Sequence, residues 1–311
     1  MKKILKRSTG GYVKVIAKIL KRLLPLSWYK ILANGPLLVP RYYRRMIFEA
    51  ERYFDWARQD SVEKDLLLMR KYAHIIDKGI QRKDAEPGHS KGCLIELNNI
   101  LSRLPKIYRN DPTVQWAYSI VERYAELQAG SFKPDFQSIP QPSVTYENLF
   151  QLIRQRRSNR CFTGKVIPQD VVEKLIAVTN WAPSSCNKQP VKCFYTLDPK
   201  QVKEGLECCK GGTGFSGVIP SFWVFCADCR GYVWPTEAYL PHIDVSLGVQ
   251  NLLLAAASLG LSGTILSWAQ HDSEEDKRLR NLLNIPEYEI IIVCAVLGYA
   301  EYQYNPPARK K

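Results

Sequence analysis

The chain has 311 residues, 46% hydrophobic and 24% charged, with a net charge of +14. That length and balance exclude a disordered polymer and supply a large core, with room for two folded units. The charge is uneven: residues 1–52 hold 13 Lys/Arg against two acids, Glu49 and Glu51, so +11 of the +14 lies there. No nucleic-acid motif accompanies this basic segment, which argues against a nucleic-acid partner. Nine cysteines occur without a cleavable leader pattern, because Lys14, Lys18, Lys21 and Arg22 break the early apolar run. A reduced chain in the cytoplasm is the expectation.

Residues 12–24 place Val13, Ile16, Leu20, Leu23 and Leu24 on one face of a helix and the lysines on the other. With Trp28 and Tyr29 nearby, residues 1–30 can lie peripherally on the anionic inner face of a membrane, or pack their apolar face on the protein. No apolar run reaches the roughly 18–20 residues needed to span a bilayer. From Arg41 to Gln81 the pattern predicts two helical pieces. Asp60 and Glu63 read as a capping box, and Gly79 as the C-cap. His74 and Asp77, at i,i+3, can share a hydrogen bond. Further helices are expected over 93–104 and 113–129. Residues 130–144, with Pro134, Pro140 and Pro142, read as a linker. The expected division is a helical N-terminal region, 1–140, followed by a second domain, 145–311.

Thr145 can cap a helix that runs into a basic knot of Arg154, Arg156, Arg157 and Arg160, with one hydroxyl, Ser158. Guanidiniums suit a phosphate because they stay charged and present a planar fork of donors. Pro168 starts a helix over 169–180, which leads into a loop from Pro183 to Pro190. Ser184, Ser185, Asn187 and Gln189 offer neutral hydroxyls and amides there. Such amides both donate and accept, as the polar edge of a planar heterocycle requires. A phosphate grip and an amide edge-reader one helix apart point to a mononucleotide-type cofactor. Strands are expected at 191–197 and 220–227, with a helix at 199–209 between them. The formal GxGxxG at 212–217 follows that helix and leads into a strand, the reverse of a dinucleotide fingerprint, and is rejected as one. Residues 242–259 are apolar on nearly every side and predict a central core helix. Strands at 263–268 and 289–297 complete the pattern.

At these residues the chain resembles the nitroreductase-like FMN enzymes. Arg156-Arg157-Ser158-Asn159-Arg160-Cys161-Phe162 matches their R-[RH]-S-x-[RK]-x-F segment, and Ala182 to Pro190 matches their A-P-S-S-x-N-x-Q-P loop. The helix at 242–259 matches the family's core helix, and Pro306-Pro307-Ala308-Arg309 a terminal Pro-x-x-Arg. The resemblance covers residues 145–311. It implies an α+β, three-layer fold: a mixed, mostly antiparallel sheet flanked by helices, here preceded by a mainly α-helical region. It also implies a homodimer with FMN at the subunit interface, NADH or NADPH as reductant and a small-molecule substrate. Arg156, Arg160 and Arg309 would hold the phosphate, Ser158 the phosphate or ribityl oxygens, and Arg157 would belong to the same cofactor-binding segment. Asn187 and Gln189 would face the isoalloxazine edge, while Pro183, Ser184 and Ser185 line the ring or ribityl chain. Ser267 and Trp268 stand where many relatives have Glu-Gly against the ring, a departure that leaves the substrate open. The phrase His74 to Ile80 is similar to one in a subgroup associated with surface-polysaccharide gene clusters. Two alternatives stay open: a flavin dehydrogenase using a specialised substrate instead of NAD(P)H, and a membrane-associated scaffold without activity.

Other chemistry is weaker. Cys226 and Cys229 form a CxxC without a second pair, and the four histidines lack ligand spacing, so no metal is expected. No nucleophile–base motif occurs, and no catalytic acid is named.

Overall fold

The structure, a computed structural model, describes residue 52 and residues 55–133, 137–232, 237–268 and 273–309. The expected helix at 12–24, the membrane contact of residues 1–30 and most of the first helical piece after Arg41 lie outside the described residues.

Three helices come first: α1 (Val62–Ile80), α2 (Lys91–Arg103) and α3 (Pro112–Gln128). Their apolar stripes close on one another through Met69, Ala73, Ile76, Leu97, Ile100, Ala117 and Ile120. The start of α1 falls one residue later than the capping box implies. Ser61 is the N-cap, its hydroxyl accepting from the Lys64 amide at 3.1 Å, while Asp60 pairs with the Lys64 ammonium. Gly79 is not the cap either; α1 runs through it to Ile80, with Gln81 as C-cap. A glycine is needed there because the His89 ring would lie 2.2 Å from a Cβ. Asp77 accepts from Gln81 (2.6 Å) and Arg123 (3.2 Å) instead of His74. Asp111 caps α3 through the amides of Thr113 and Val114, with Pro112 in the first turn. Residues 130–133 and 137–144 form neither helix nor strand, as their prolines predict.

The second part contains α4 (Tyr146–Gln155), β1 (Cys161–Phe162), α5 (Gln169–Ala177), β2 (Val191–Thr196), α6 (Pro199–Cys208) and β3 (Ser216–Gly217). It continues with β4 (Phe222–Asp228), α7 (Leu240–Ser258), β5 (Ser262–Leu266), α8 (Ser273–Leu283) and β6 (Glu289–Gly298). The main sheet runs β2-β4-β6-β5 and is antiparallel throughout, while β1 and β3 form a short parallel pair. Every residue of β4 is buried, because alternate side chains enter two different cores. Trp223, Phe225 and Ala227 pack with Val172 of α5 and Val245 and Leu252 of α7. Phe222, Val224 and Cys226 pack with Val202 of α6 and Leu279 of α8. This is the expected three-layer α+β arrangement. A bulge interrupts the ladder where Phe225 faces Val293 and Cys226 faces Ile291, leaving Ile292 as the extra residue of β6.

Helix α7 reaches the turn before the amide loop through Gly248. A Cβ there would stand 2.7 Å from the Thr179 carbonyl oxygen and 2.8 Å from a Val191 methyl, so only glycine permits the approach. Among the described residues no helix is long and apolar enough to cross a membrane.

Candidate functional site

Helix α4 starts where expected, the Thr145 hydroxyl accepting from the Asn148 amide at 3.2 Å, and stops at Arg156. The loop 156–160 is then tied to β5. Asn159, fully buried, donates to the Ser262 hydroxyl at 3.3 Å, and its carbonyl accepts from the Thr264 hydroxyl. Strand β1 is tied in turn to the chain's last segment, by Thr163 N to Tyr299 O (2.8 Å) and Glu301 N to Cys161 O (3.2 Å). That pairing carries residues 301–309 back along α4, where Gln303 donates to the Gln155 carbonyl at 2.7 Å. Between α4 and Gln303–Pro306 lies an open groove of about 700 Å³, with Arg157 on its wall.

The fold therefore brings Arg309 close enough to the adjacent pair Arg156 and Arg157 for its charge to act on Arg156. Arg156 is held below the usual guanidinium range, first by burial and then by the positive charges of Arg157 and Arg309. Among the described residues no carboxylate pairs with any of the three. Arg157 spends one amino group on the carbonyls of Arg154 and Arg156, yet its buried Nε has no hydrogen-bond partner, and neither has the Asn159 side-chain oxygen. Like charges brought together without a counter-charge repel, and a buried unpaired donor is costly. A phosphate would relieve the repulsion. Ser158 and Arg160 stand exposed in the same loop.

The amide loop is a separate, tightly bonded unit. Cys186, Asn187 and Gln189 have φ of 51°, 53° and 53°, the left-handed region that non-glycine residues seldom occupy. Ser184 Oγ accepts from the Gln189 amide at 3.0 Å, and the Gln189 side chain donates to Asn187 Oδ1 at 3.3 Å. Ser185 donates twice, from its amide and its hydroxyl, to Asp244 Oδ1 at 3.0 and 2.9 Å. Asp244 is buried on α7 and also accepts from the Tyr232 hydroxyl at 2.8 Å. Asn187 and Gln189 are thus brought together, Pro183 is exposed at the loop's start, and the two serines brace the backbone.

Ser267 is exposed at the end of β5, its amide bonded to the Lys210 carbonyl at 3.1 Å. Trp268 is buried in the core on the α6 and α8 side of the sheet. Asp244 and Lys188 are the residues that sequence reasoning did not assign. The signal for the first was present: one acid in an otherwise apolar helix has to be bonded. Cys226 and Cys229 are both fully buried, and among the described residues no group of three His, Cys, Asp or Glu side chains could hold a metal ion.

The nitroreductase family model matches residues 153–209 and 235–299, which carry the guanidinium knot, the amide loop, α7, β5 and β6. A protein of Archaeoglobus fulgidus whose name places it among the NADH dehydrogenase/NAD(P)H nitroreductases is 30% identical over 169 residues, 51% of this chain and 95% of that protein. The FMN reductase (NAD(P)H) of Bacillus subtilis is 26% identical over 162 residues; the match covers 47% of this chain and 64% of the reductase, just under two thirds of its length. A crystal structure of a nitroreductase with bound FMN from Bacteroides fragilis is 21% identical, covering 52% of this chain and 94% of that one, with a TM-score of 0.44.

Proposed function

The chain belongs to the nitroreductase family and is an oxidoreductase, and we propose that it binds FMN and passes electrons from NADH or NADPH to a small-molecule acceptor. The observation that carries this reading is the convergence of Arg156, Arg157 and Arg309 without a carboxylate partner among the described residues. A grip of that kind has no structural purpose on its own and fits a phosphate monoester. Arg156, Arg157 and Arg309 would hold the phosphate, with Arg160 and Ser158 beside them. Asn187 and Gln189 would meet the donor and acceptor edge of the isoalloxazine, with Pro183, Ser184 and Ser185 shaping the wall behind it. Bound FMN would supply a ring able to accept hydride and release electrons to a second substrate, while the protein binds and orients the partners. Ser267 would border the substrate side, whereas Trp268, expected there too, is buried in the core behind β5 and does not face a ligand. No side chain of the chain is assigned as a proton donor.

A second copy of the chain completes this reading. Helix α4 presents Tyr146, Leu149, Phe150 and Ile153 at i, i+3, i+4 and i+7, all exposed, and α7 presents Ile243 and Leu247. Such faces ask for a twin rather than water. On the resemblance of the phrase His74 to Ile80 alone, which lies on α1, we further propose an acceptor from surface-polysaccharide metabolism; nucleotide-sugar intermediates that leave the reduced protein unoxidised would count against that link.

The test of the cofactor site is the double substitution Arg156→Ala with Arg309→Ala. Each charge-assisted contact is worth roughly 1.5–3 kcal/mol, so FMN affinity should fall by several kcal/mol in a fluorescence titration. Unchanged affinity would remove these residues from the site.

A further inference from the structure

Lys188 lies between the two amide-bearing residues of the loop, yet its side chain is fully buried. An ammonium is expensive to bury unless partners replace its water. Here the compensation comes from two elements. Glu237 Oε1 stands 3.2 Å from Lys188 Nζ, and the Tyr232 ring centroid lies 4.7 Å from it. Tyr232 is the residue whose hydroxyl bonds Asp244, and Asp244 holds Ser185. Both ends of the loop are therefore fastened to one buried chain of groups, Lys188–Tyr232–Asp244–Ser185.

Helix α1 adds a further hold. Lys71 Nζ is 3.6 Å from Glu237 Oε1. Arg70 donates to the Lys188 carbonyl at 3.4 Å and to the Thr113 hydroxyl of α3 at 3.2 Å. Three left-handed, non-glycine residues persist only where the surroundings over-determine them, and these contacts are such surroundings. The side chains of Asn187 and Gln189, which bond each other, take no part in this clamp.

We propose that Lys188, clamped by Glu237 and Tyr232 and backed by Arg70 and Lys71 of α1, is a positioning residue that holds the Asn187 and Gln189 amides against the flavin edge. The proposal rests on the FMN reading above. It makes the helical layer a working part of the cofactor site, because α1 supports the loop from behind.

The test is Lys188→Met in the full chain, read by FMN titration, by the visible spectrum of the bound flavin and by hydrogen exchange of amides 185–189. Losing one or two amide hydrogen bonds to the flavin edge costs roughly tenfold in affinity. The expected result is FMN binding weakened to that extent, a shifted flavin absorption band and faster exchange confined to the loop. A purely structural lysine would lower the melting temperature and leave affinity, spectrum and loop exchange unchanged, and that outcome overturns the proposal. If Lys188→Met does not fold, Glu237→Gln decides: it removes the carboxylate facing Lys188 Nζ, should weaken FMN binding in the same direction and be partly rescued by Glu237→Asp, and unaltered binding overturns the clamp. A wild-type protein that takes up no FMN would overturn the cofactor reading and this role together. Wild-type uptake with unaltered variants would overturn the clamp alone.

Discussion

Glu289 opens β6 opposite Asp228 and is 2% exposed. Burial first, and then the charge of Asp228, push its carboxyl up to about 8, against the opposing pull of Lys192, Arg230 and Arg280. One of its oxygens has no hydrogen-bond partner. Between the ordinary value of 4.5 and about 8 the folded chain keeps a proton that the unfolded chain has released. Stability therefore falls as pH rises through that window, by an amount on the order of 5 kcal/mol at full ionisation. Glu289→Gln should flatten the slope of urea-unfolding stability between pH 5 and pH 8; an unaltered slope would show that another group sets it. At this scale the sequence was unevenly legible. Arg156, Arg157, Asn187 and Gln189 could be nominated because their chemistry is tied to local order in the chain. Lys188 could not, since a lysine in a polar loop reads as solvated until Glu237 and Tyr232 close around it. Gly79 misled for a related reason: its need for space comes from His89, ten residues on, not from a helix end.

Among the elements, α7 was readable as a helix from composition, and its face carrying Val245, Val249 and Leu252 lies in the core, but Ile243 and Leu247 stay exposed, so it is not buried on every side. Its position against the turn 179–181 was not readable, since that depends on Gly248 meeting Thr179. The bulge at Ile292 was equally hidden, as a continuous apolar strand carries no alternation that could slip. Helix α4 is the opposite case. Its apolar side chains share one face and none is buried, although Tyr146 and Phe150 stack at 5.5 Å. If that face meets a second copy, Phe150→Glu with Ile153→Glu removes two apolar contacts of roughly 1.5–3 kcal/mol each and places charge between them. The dimer should weaken by about a hundredfold or more in sedimentation velocity, with the helical circular dichroism retained. A double variant that associates like the wild type would move the interface elsewhere.

In the molecule as a whole, two groups of residues that sequence reasoning set side by side prove to be built by different means. The arginine cluster proposed for the phosphate depends on the 299–309 segment pairing with β1 and returning along α4, which brings the charge of Arg309 to bear on Arg156. The amide loop depends on α1 and α7, one from each side of the linker at 130–144. The absence of helix and strand in 130–133 and 137–144 was legible in the prolines. That α1 would reach across to the loop was not, because nothing in the amphipathic pattern of a helix says which surface its polar face will meet.

In the proposed function these two constructions serve one flavin. The most direct measurement is the visible spectrum of the purified protein before and after anaerobic addition of NADH or NADPH. A yellow protein bleached by one of them is the predicted result, and it would also name the donor. A yellow protein that neither reduces would move the source of electrons to a specialised substrate. A colourless protein that refuses added FMN would contradict the account.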